Sequence, residues 1–310
     1  MTRPFVIAHR GASGYLPEHT AEAKAAAHAM GADYIEQDII ASRDGVLLVL
    51  HDIYLEGVTD VAAKFPGRAR ADGHYYAIDF DHAEIAALNV HERTGTDAAQ
   101  IWPDRFPADS GRFSVSTLDE ELELIAGLNR STGRSAGIYP EIKDPAWHIE
   151  NGVDLTHLIV TALENHGYFD SPGSRAAPRA FLQCFDAGEL QTIRRDIDPP
   201  IPLVQLLTDE DDMSGSALEN IAEYAQGIGP PYVSLLSEFD PSPLPNAVCN
   251  DAHANGLVVH PYTFRRDGLP PFAPDFAALI RFFAQDAGVD GLFTDFPDLA
   301  VGVLSEMNLN

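Results

Sequence analysis

The chain has 310 residues, of which 45% are hydrophobic, and a formal net charge of -27 at pH 7. So acidic a balance argues against a nucleic acid partner, because too few Lys and Arg remain to neutralise a phosphate backbone. No apolar run approaches the roughly 20 residues that cross a bilayer, which argues against stable membrane insertion.

The opening MTRPFVIAHRG enters a strand at once, so no secretory signal is expected in the sequence as given. Further along, short aliphatic runs recur with helical stretches between them: FVIAH, DYIEQDI, GIYPEI, AFLQCF, PLVQLL, YVSLL, LVVHPYT and GLFTDF. Alternation of this kind implies parallel pairing with right-handed crossovers, and eight such strands predict a single α/β domain over 1–310, a closed (β/α)₈ barrel. Helix signals agree. AEAKAAAHAM is an alanine-rich helix ended by Gly31, and Thr117 with Glu120 reads as a capping box opening TLDEELELIAGL.

GVLLVLH breaks the alternation, since only ASRDG separates it from DYIEQDI. That spacing predicts a hairpin turning at Arg43 and Asp44, which returns His51 beside Gln37, level with Glu36 and Asp38. Residues from about 53 to 115 follow with weak periodicity and much Gly, Asp, His, Tyr and Pro. They read as a small subdomain inserted over the barrel mouth, because loops this long are usually lids or binding elements.

The strand period of two puts Glu36 and Asp38 on one face, and in PEIK it does the same for Glu141 and Lys143. Carboxylates sharing one site repel, and a hard divalent cation relieves this. The bland alternative is a set of barrel-interior acids neutralised by basic neighbours. Two histidines, His9 in IAHRG and His51 in VLHD, end strands, where such barrels carry their chemistry. A histidine pair can take a proton from a nucleophile and give one to a leaving alkoxide near neutral pH. Arg10 offers a bidentate phosphate contact and Lys143 a point charge. Glu18 in LPEHT, Gln183, His260, Tyr262, Arg265, Thr294 and Asp295 sit where they could line the pocket. His28, His74, His82, His91, His148, His157 and His166 receive no role. Cys184 and Cys249 lack metal or redox spacing and read as free structural thiols.

The segments HRGASGYLPEHT, GADYIEQDI, SRDGVLLVLHD, PEIK, LQCFD, HPYTFR and FTDFPD resemble glycerophosphodiester phosphodiesterases, most nearly the bacterial periplasmic type. The likeness covers nearly the whole chain, including VTDVAAKFPGRAR and YYAIDF in the insertion. It implies a barrel enzyme that hydrolyses glycerophosphodiesters such as glycerophosphocholine or glycerophosphoethanolamine to sn-glycerol 3-phosphate and an alcohol. One divalent cation assists, calcium ahead of magnesium. It further implies His9 and His51 as the acid/base pair, Glu36, Asp38 and Glu141 as metal ligands, and Arg10 and Lys143 as phosphate contacts. His19 stands where the family usually has Asn. The family's location would be periplasmic or secreted; the sequence as given leaves a cytoplasmic one open. Two other readings fit some of the same residues: a phospholipase D of the sphingomyelinase type on this barrel, and a non-catalytic binding protein that kept the fold.

Overall fold

The computed structural model describes residues 3–96, 98–174, 177–237 and 243–307. The chain begins with β1 (Phe5–Ala8), α1 (Ala21–Met30), β2 (Tyr34–Ala41) and β3 (Leu47–Val49). Two one-turn helices, α2 (Val61–Lys64) and α3 (His82–Ile85), lie in the excursion that follows. Alternation resumes with α4 (Leu118–Thr132), β4 (Gly137–Ile142), α5 (Pro145–Glu150) and α6 (Leu155–Asn165). A minimal hairpin, β5 (Gly173–Ser174) and β6 (Ala177–Pro178), precedes β7 (Leu182–Cys184), α7 (Ala187–Asp196) and β8 (Leu203–Leu206). Then come α8 (Gly215–Ala222), β9 (Gly227–Gly229), α9 (Val248–Ala254), β10 (Val258–Val259), α10 (Phe276–Phe282), β11 (Gly291–Thr294) and α11 (Pro297–Glu306).

The strands run in the order β10-β9-β8-β7-β4-β2-β1-β11, all parallel, with β3 antiparallel to β2. The ring closes just past β10, where Phe293 N donates to Pro261 O at 3.0 Å and Phe264 N to Phe293 O at 2.8 Å. This is the (β/α)₈ barrel that the alternating runs predict. No helix among the described residues is long and apolar enough to cross a membrane. The cysteines are free and buried.

One expected strand is corrected. YVSLL forms a short 3₁₀ turn over Tyr232–Leu235, and the barrel strand at this place is β9, the sequence Gly-Ile-Gly. Two of its three residues lack side chains for want of room: a Cβ on Gly227 would lie 2.7 Å from Val258 Cγ2, and one on Gly229 2.6 Å from Leu206 Cδ2. A strand with so little apolar content escapes a reading based on hydrophobic runs.

Strand parity sets what faces the axis. Ile7, Tyr34, Tyr139, Phe181, Val204 and Phe293 form one apolar layer across the barrel. Tyr139 stacks on Phe181 with centroids 4.8 Å apart. The next inward positions toward the strand ends are His9, Glu36, Glu141, Gln183, Leu206 and Asp295. At the opposite, N-terminal end lies a separate cavity of about 630 Å³, lined by Phe5, Tyr34 and Gly137 among others. His260 belongs to the apolar layer rather than to the mouth: its ring is buried, bonded through Nδ1 to Tyr139 OH at 2.8 Å, and burial pushes its pKa down to about 4. Thr294 is likewise buried, its hydroxyl donating to Phe264 O at 2.9 Å.

The β2–β3 hairpin pairs Ile39 with Val49 and Ala41 with Leu47, a register that continues to Gln37 opposite His51. Gly45 closes its turn at φ 78°, the left-handed value a glycine adopts without cost. At α1, Thr20 Oγ1 accepts from Ala23 N at 3.2 Å and Gly31 ends the helix at φ 99°; at α4 the Thr117–Glu120 capping box is formed. Residues after β3 build their own apolar cluster, with Leu55, Val58, Phe80, Ile85 and Val90 packed on Ile40, Leu48 and Leu50 of the hairpin. Tyr76 stacks on Trp147 of α5 at 5.5 Å, a second anchor to the barrel.

The crowding at β9 gives a test. Gly227→Ala forces a methyl against Val258 and should destabilise the chain by about 1–3 kcal/mol, the usual cost of overpacking. Urea unfolding should show a lower midpoint with unchanged slope; an unchanged midpoint would contradict the packing at this strand.

Candidate active site

At the C-terminal strand ends a cavity of about 340 Å³ is lined by His9, Arg10, Glu36, Asp38, His51, Glu141, Lys143, Gln183, Tyr262 and Arg265. Trp102, Phe185, Leu206, Tyr232 and Phe293 add apolar walls. Of the residues expected at a pocket, the structure brings these together and leaves out His260, Thr294 and Asp295, the last lining a smaller neighbouring pocket instead. Glu18 does not line this cavity either. It is turned away to accept from Arg10 Nη1 at 3.1 Å and from Arg93 Nη2 at 2.6 Å, beside a smaller pocket of about 230 Å³.

Glu36, Asp38 and Glu141 each offer an oxygen, all within 4.8 Å of one another and buried. The cause is register: Asp38 pairs with Glu141 across neighbouring parallel strands, and Glu36 lies one inward position below. Arg10 N donates to Glu36 Oε2 at 2.8 Å and Gln183 Nε2 to Glu36 Oε1 at 3.0 Å. Lys143 Nζ stands 2.7 Å from Glu141 Oε1, and Arg10 Nε 3.5 Å from Asp38 Oδ2. Basic neighbours are thus present, as the bland alternative requires, yet they do not settle the charge. Burial, then Asp38 and Glu141, push the Glu36 carboxyl well above its ordinary value. Glu141 rises to about 8 through burial and Asp38, against the pull of Lys143. Burial works on Asp38 too, but His19 and Lys143 outweigh it and hold it well below the usual carboxylate range. Asp38 Oδ1 is buried and makes no hydrogen bond among the described residues. An oxygen-only set with a vacant acceptor, whose crowded carboxylates raise one another's affinity for positive charge, suits a hard divalent ion.

The histidines are each anchored through Nδ1 to a carboxylate. His9 Nδ1 lies 2.6 Å from Asp295 Oδ1, and His51 Nδ1 2.6 Å from Asp52 Oδ1. A carboxylate only accepts, so Nδ1 carries the proton and Nε2 is the nitrogen left for chemistry. His9 Nε2 is 4.0 Å from Glu36 Oε2, next to the carboxylates. The anchors are themselves clamped: Asp295 Oδ2 takes Arg105 Nη2 at 2.7 Å and Arg265 Nε at 2.8 Å, and Asp52 pairs with Arg93. Burial, then Arg10, drives the His9 pKa down to about 4, against Asp295. His51 is lowered by burial and Arg10, with Asp52 opposing, and its side chain keeps 33% exposure.

Asp52, Arg93, Trp102, Arg105 and Phe185 were not singled out from sequence. Asp52 had a local signal, since it follows His51 directly. Arg93, Trp102 and Arg105 lie in the stretch without periodicity, where only the folded chain shows that they reach the mouth. Tyr262 lines the cavity with its ring while its hydroxyl donates to Leu207 O at 2.6 Å.

The sequence profile of the Glycerophosphoryl diester phosphodiesterase family matches residues 9–299. A Glycerophosphodiester phosphodiesterase of Haemophilus influenzae is 39% identical over 96% of this chain and 89% of its own length. One of Treponema pallidum is 34% identical over 97% of this chain and 92% of its own. Among solved structures, a glycerophosphodiester phosphodiesterase from Agrobacterium tumefaciens shares the fold with a TM-score of 0.63, at 24% identity over 97% of this chain and 100% of that one. An Oleispira antarctica phosphodiesterase in complex with the product sn-glycerol-3-phosphate has a TM-score of 0.67, at 21% identity and 97% coverage of both chains. With its profile matched through the barrel and close relatives covered nearly end to end, the chain belongs to the glycerophosphoryl diester phosphodiesterase family of phosphoric diester hydrolases.

Proposed function

We propose that the chain hydrolyses glycerophosphodiesters, such as glycerophosphocholine or glycerophosphoethanolamine, to sn-glycerol 3-phosphate and an alcohol. The observation that carries this reading is two carboxylate-anchored histidines facing one cavity beside three clustered carboxylates. The Haemophilus influenzae relative bears the name of the same activity. Glu36, Asp38 and Glu141 would hold one divalent cation, calcium in preference to magnesium, which when bound polarises phosphoryl oxygens and offsets charge in the transition state.

The chain's own groups divide the remaining work. Arg10 and Lys143 supply positive charge to the phosphate, reversing locally the field of a molecule with net charge -27. His9, low in pKa and nearest the carboxylates, takes a proton on Nε2 from the attacking oxygen, either water or the neighbouring glycerol hydroxyl. The second route passes through a cyclic phosphate that water then opens. His51 gives a proton from Nε2 to the leaving alkoxide, its imidazolium form steadied by the Asp52 carboxylate and raised by the bound phosphate anion. Gln183 holds Glu36, and Tyr262 walls the substrate. The inserted residues, from about 53 to 115, narrow the mouth to a glycerol-sized group through Trp102.

Chelation should abolish turnover of glycerophosphocholine, with calcium restoring it better than magnesium; full activity in excess chelator would remove the cation from the reading. His9→Ala and His51→Ala should each lower kcat by about 10² to 10⁴. On an aryl ester that needs little protonation, loss of His51 should cost much less than loss of His9. Equal impairment of the two variants there would overturn the division of roles. Trp102→Ala should raise KM for glycerophosphocholine with kcat little changed and should relax discrimination between head groups. Unaltered KM and head-group preference would mean that the insertion does not shape the pocket.

A further inference from the structure

Behind the carboxylates lies a buried charged group that the proposed chemistry does not use. Lys24 on α1 has no exposed surface; its ammonium donates to His19 Nδ1 at 3.1 Å and to the backbone oxygen of Glu36, and makes an ion pair with Glu121 Oε2 at 3.0 Å. On its other side His19 Nε2 lies 2.8 Å from Asp38 Oδ2. His19 is itself fully enclosed and fixed at φ 59°, with its N–H donating to Arg10 O at 3.0 Å. A non-glycine residue keeps such a backbone conformation only where its surroundings over-determine it.

The donors and acceptors leave one assignment. An ammonium has donors only, so the ring nitrogen facing Lys24 is the bare one. A proton on Nδ1 would point N–H at N–H⁺, and the Nε2 lone pair would then face the Asp38 carboxylate. The single ring proton therefore sits on Nε2 and is donated to Asp38 Oδ2. With Oδ2 occupied, Asp38 Oδ1 stays free of hydrogen bonds among the described residues. We infer that Lys24 is a positioning residue: paired with Glu121, it locks His19 in the Nε2–H tautomer, so that His19 holds one oxygen of Asp38 and leaves the other to the cation. This rests on the cation reading above for its purpose, and on the hydrogen-bond geometry for its tautomer. Partners behind ligands act in this way because they fix ligand orientation before the ion arrives.

The test uses the full chain with nitrogen-15 in its histidines, His19 being assigned by its loss in His19→Asn. Two-bond nitrogen–proton correlations should give His19 the Nε2–H pattern with and without calcium. An Nδ1–H or doubly protonated pattern overturns the proposal. Calcium affinity is then read by calorimetry. Lys24→Met combined with Glu121→Gln, which leaves no carboxylate opposite an apolar stem, should weaken calcium binding by about 10- to 100-fold. In the His19→Asn background, whose amide donor has no tautomer to lose, the same two changes should alter affinity little. Equal weakening in both backgrounds would show that Lys24 acts through packing alone, and overturns the proposal. A wild-type chain that binds no calcium would defeat the cation reading and leave the tautomer result standing. Where the combined variant does not fold, the wild-type spectrum decides.

Discussion

Three carboxylates buried within 4.8 Å of one another repel, and everything around the barrel mouth answers that repulsion. They meet because parallel strands in register carry them at matching inward positions, an arrangement that cannot relax without breaking the sheet. Each is therefore met by donors fixed in the fold: Arg10 N and Gln183 for Glu36, His19 for Asp38, Lys143 for Glu141. What the donors leave over is an Asp38 oxygen without a hydrogen bond among the described residues and two glutamates pushed up in pKa by burial and by the charge of neighbouring carboxylates.

A second layer of charge orients the histidines. Asp295 and Asp52 would be poor anchors if either took up a proton, and arginines prevent it. For Asp295, burial is outweighed by Arg265, His9 and Arg105, which hold the carboxyl far below its usual range. For Asp52, His51 and Arg93 do the same against burial. Arg93 and Arg105 come from the stretch between β3 and α4, so the imidazoles are aimed partly by residues outside the barrel strands. Arg10, Arg93, Arg105 and Arg265 gather at this rim, each tied to a carboxylate and facing the cavity or its neighbour.

The barrel was legible because most of its strands are apolar runs, and the carboxylate cluster because a period of two is enough to place Glu36, Asp38 and Glu141 on the inside. The hairpin register followed from the length of ASRDG alone. β9 was not legible, since close neighbours had replaced its side chains with hydrogen. Lys24 and Glu121 left a fainter mark. Glu121 falls on the stripe of Leu118, Leu122 and Ile125 that α4 buries, and Lys24 sits beside Ala23 on the buried face of α1. A charge on an apolar stripe is a signal, but its partner is a neighbour only in the fold. His260 misled because a strand end alone does not say how deep a position lies, and Thr294 because it falls between the inward Phe293 and Asp295 and so faces away from the axis. Arg93, Trp102 and Arg105 depend on how a stretch of irregular chain lies across the mouth, which no periodicity encodes.

The apolar layer of Tyr34, Tyr139, Phe181 and Phe293 has a kinetic meaning. It plugs the barrel axis and separates this cavity from the one at the far end, so the site is closed at its inner end. Whatever enters leaves on the mouth side. Hydrolysis of a diester takes in two molecules, diester and water, and releases two, past cavity walls that include Trp102 and Phe185. In a pocket closed at its inner end, a fragment nearer the rim must clear before one lodged deeper can leave.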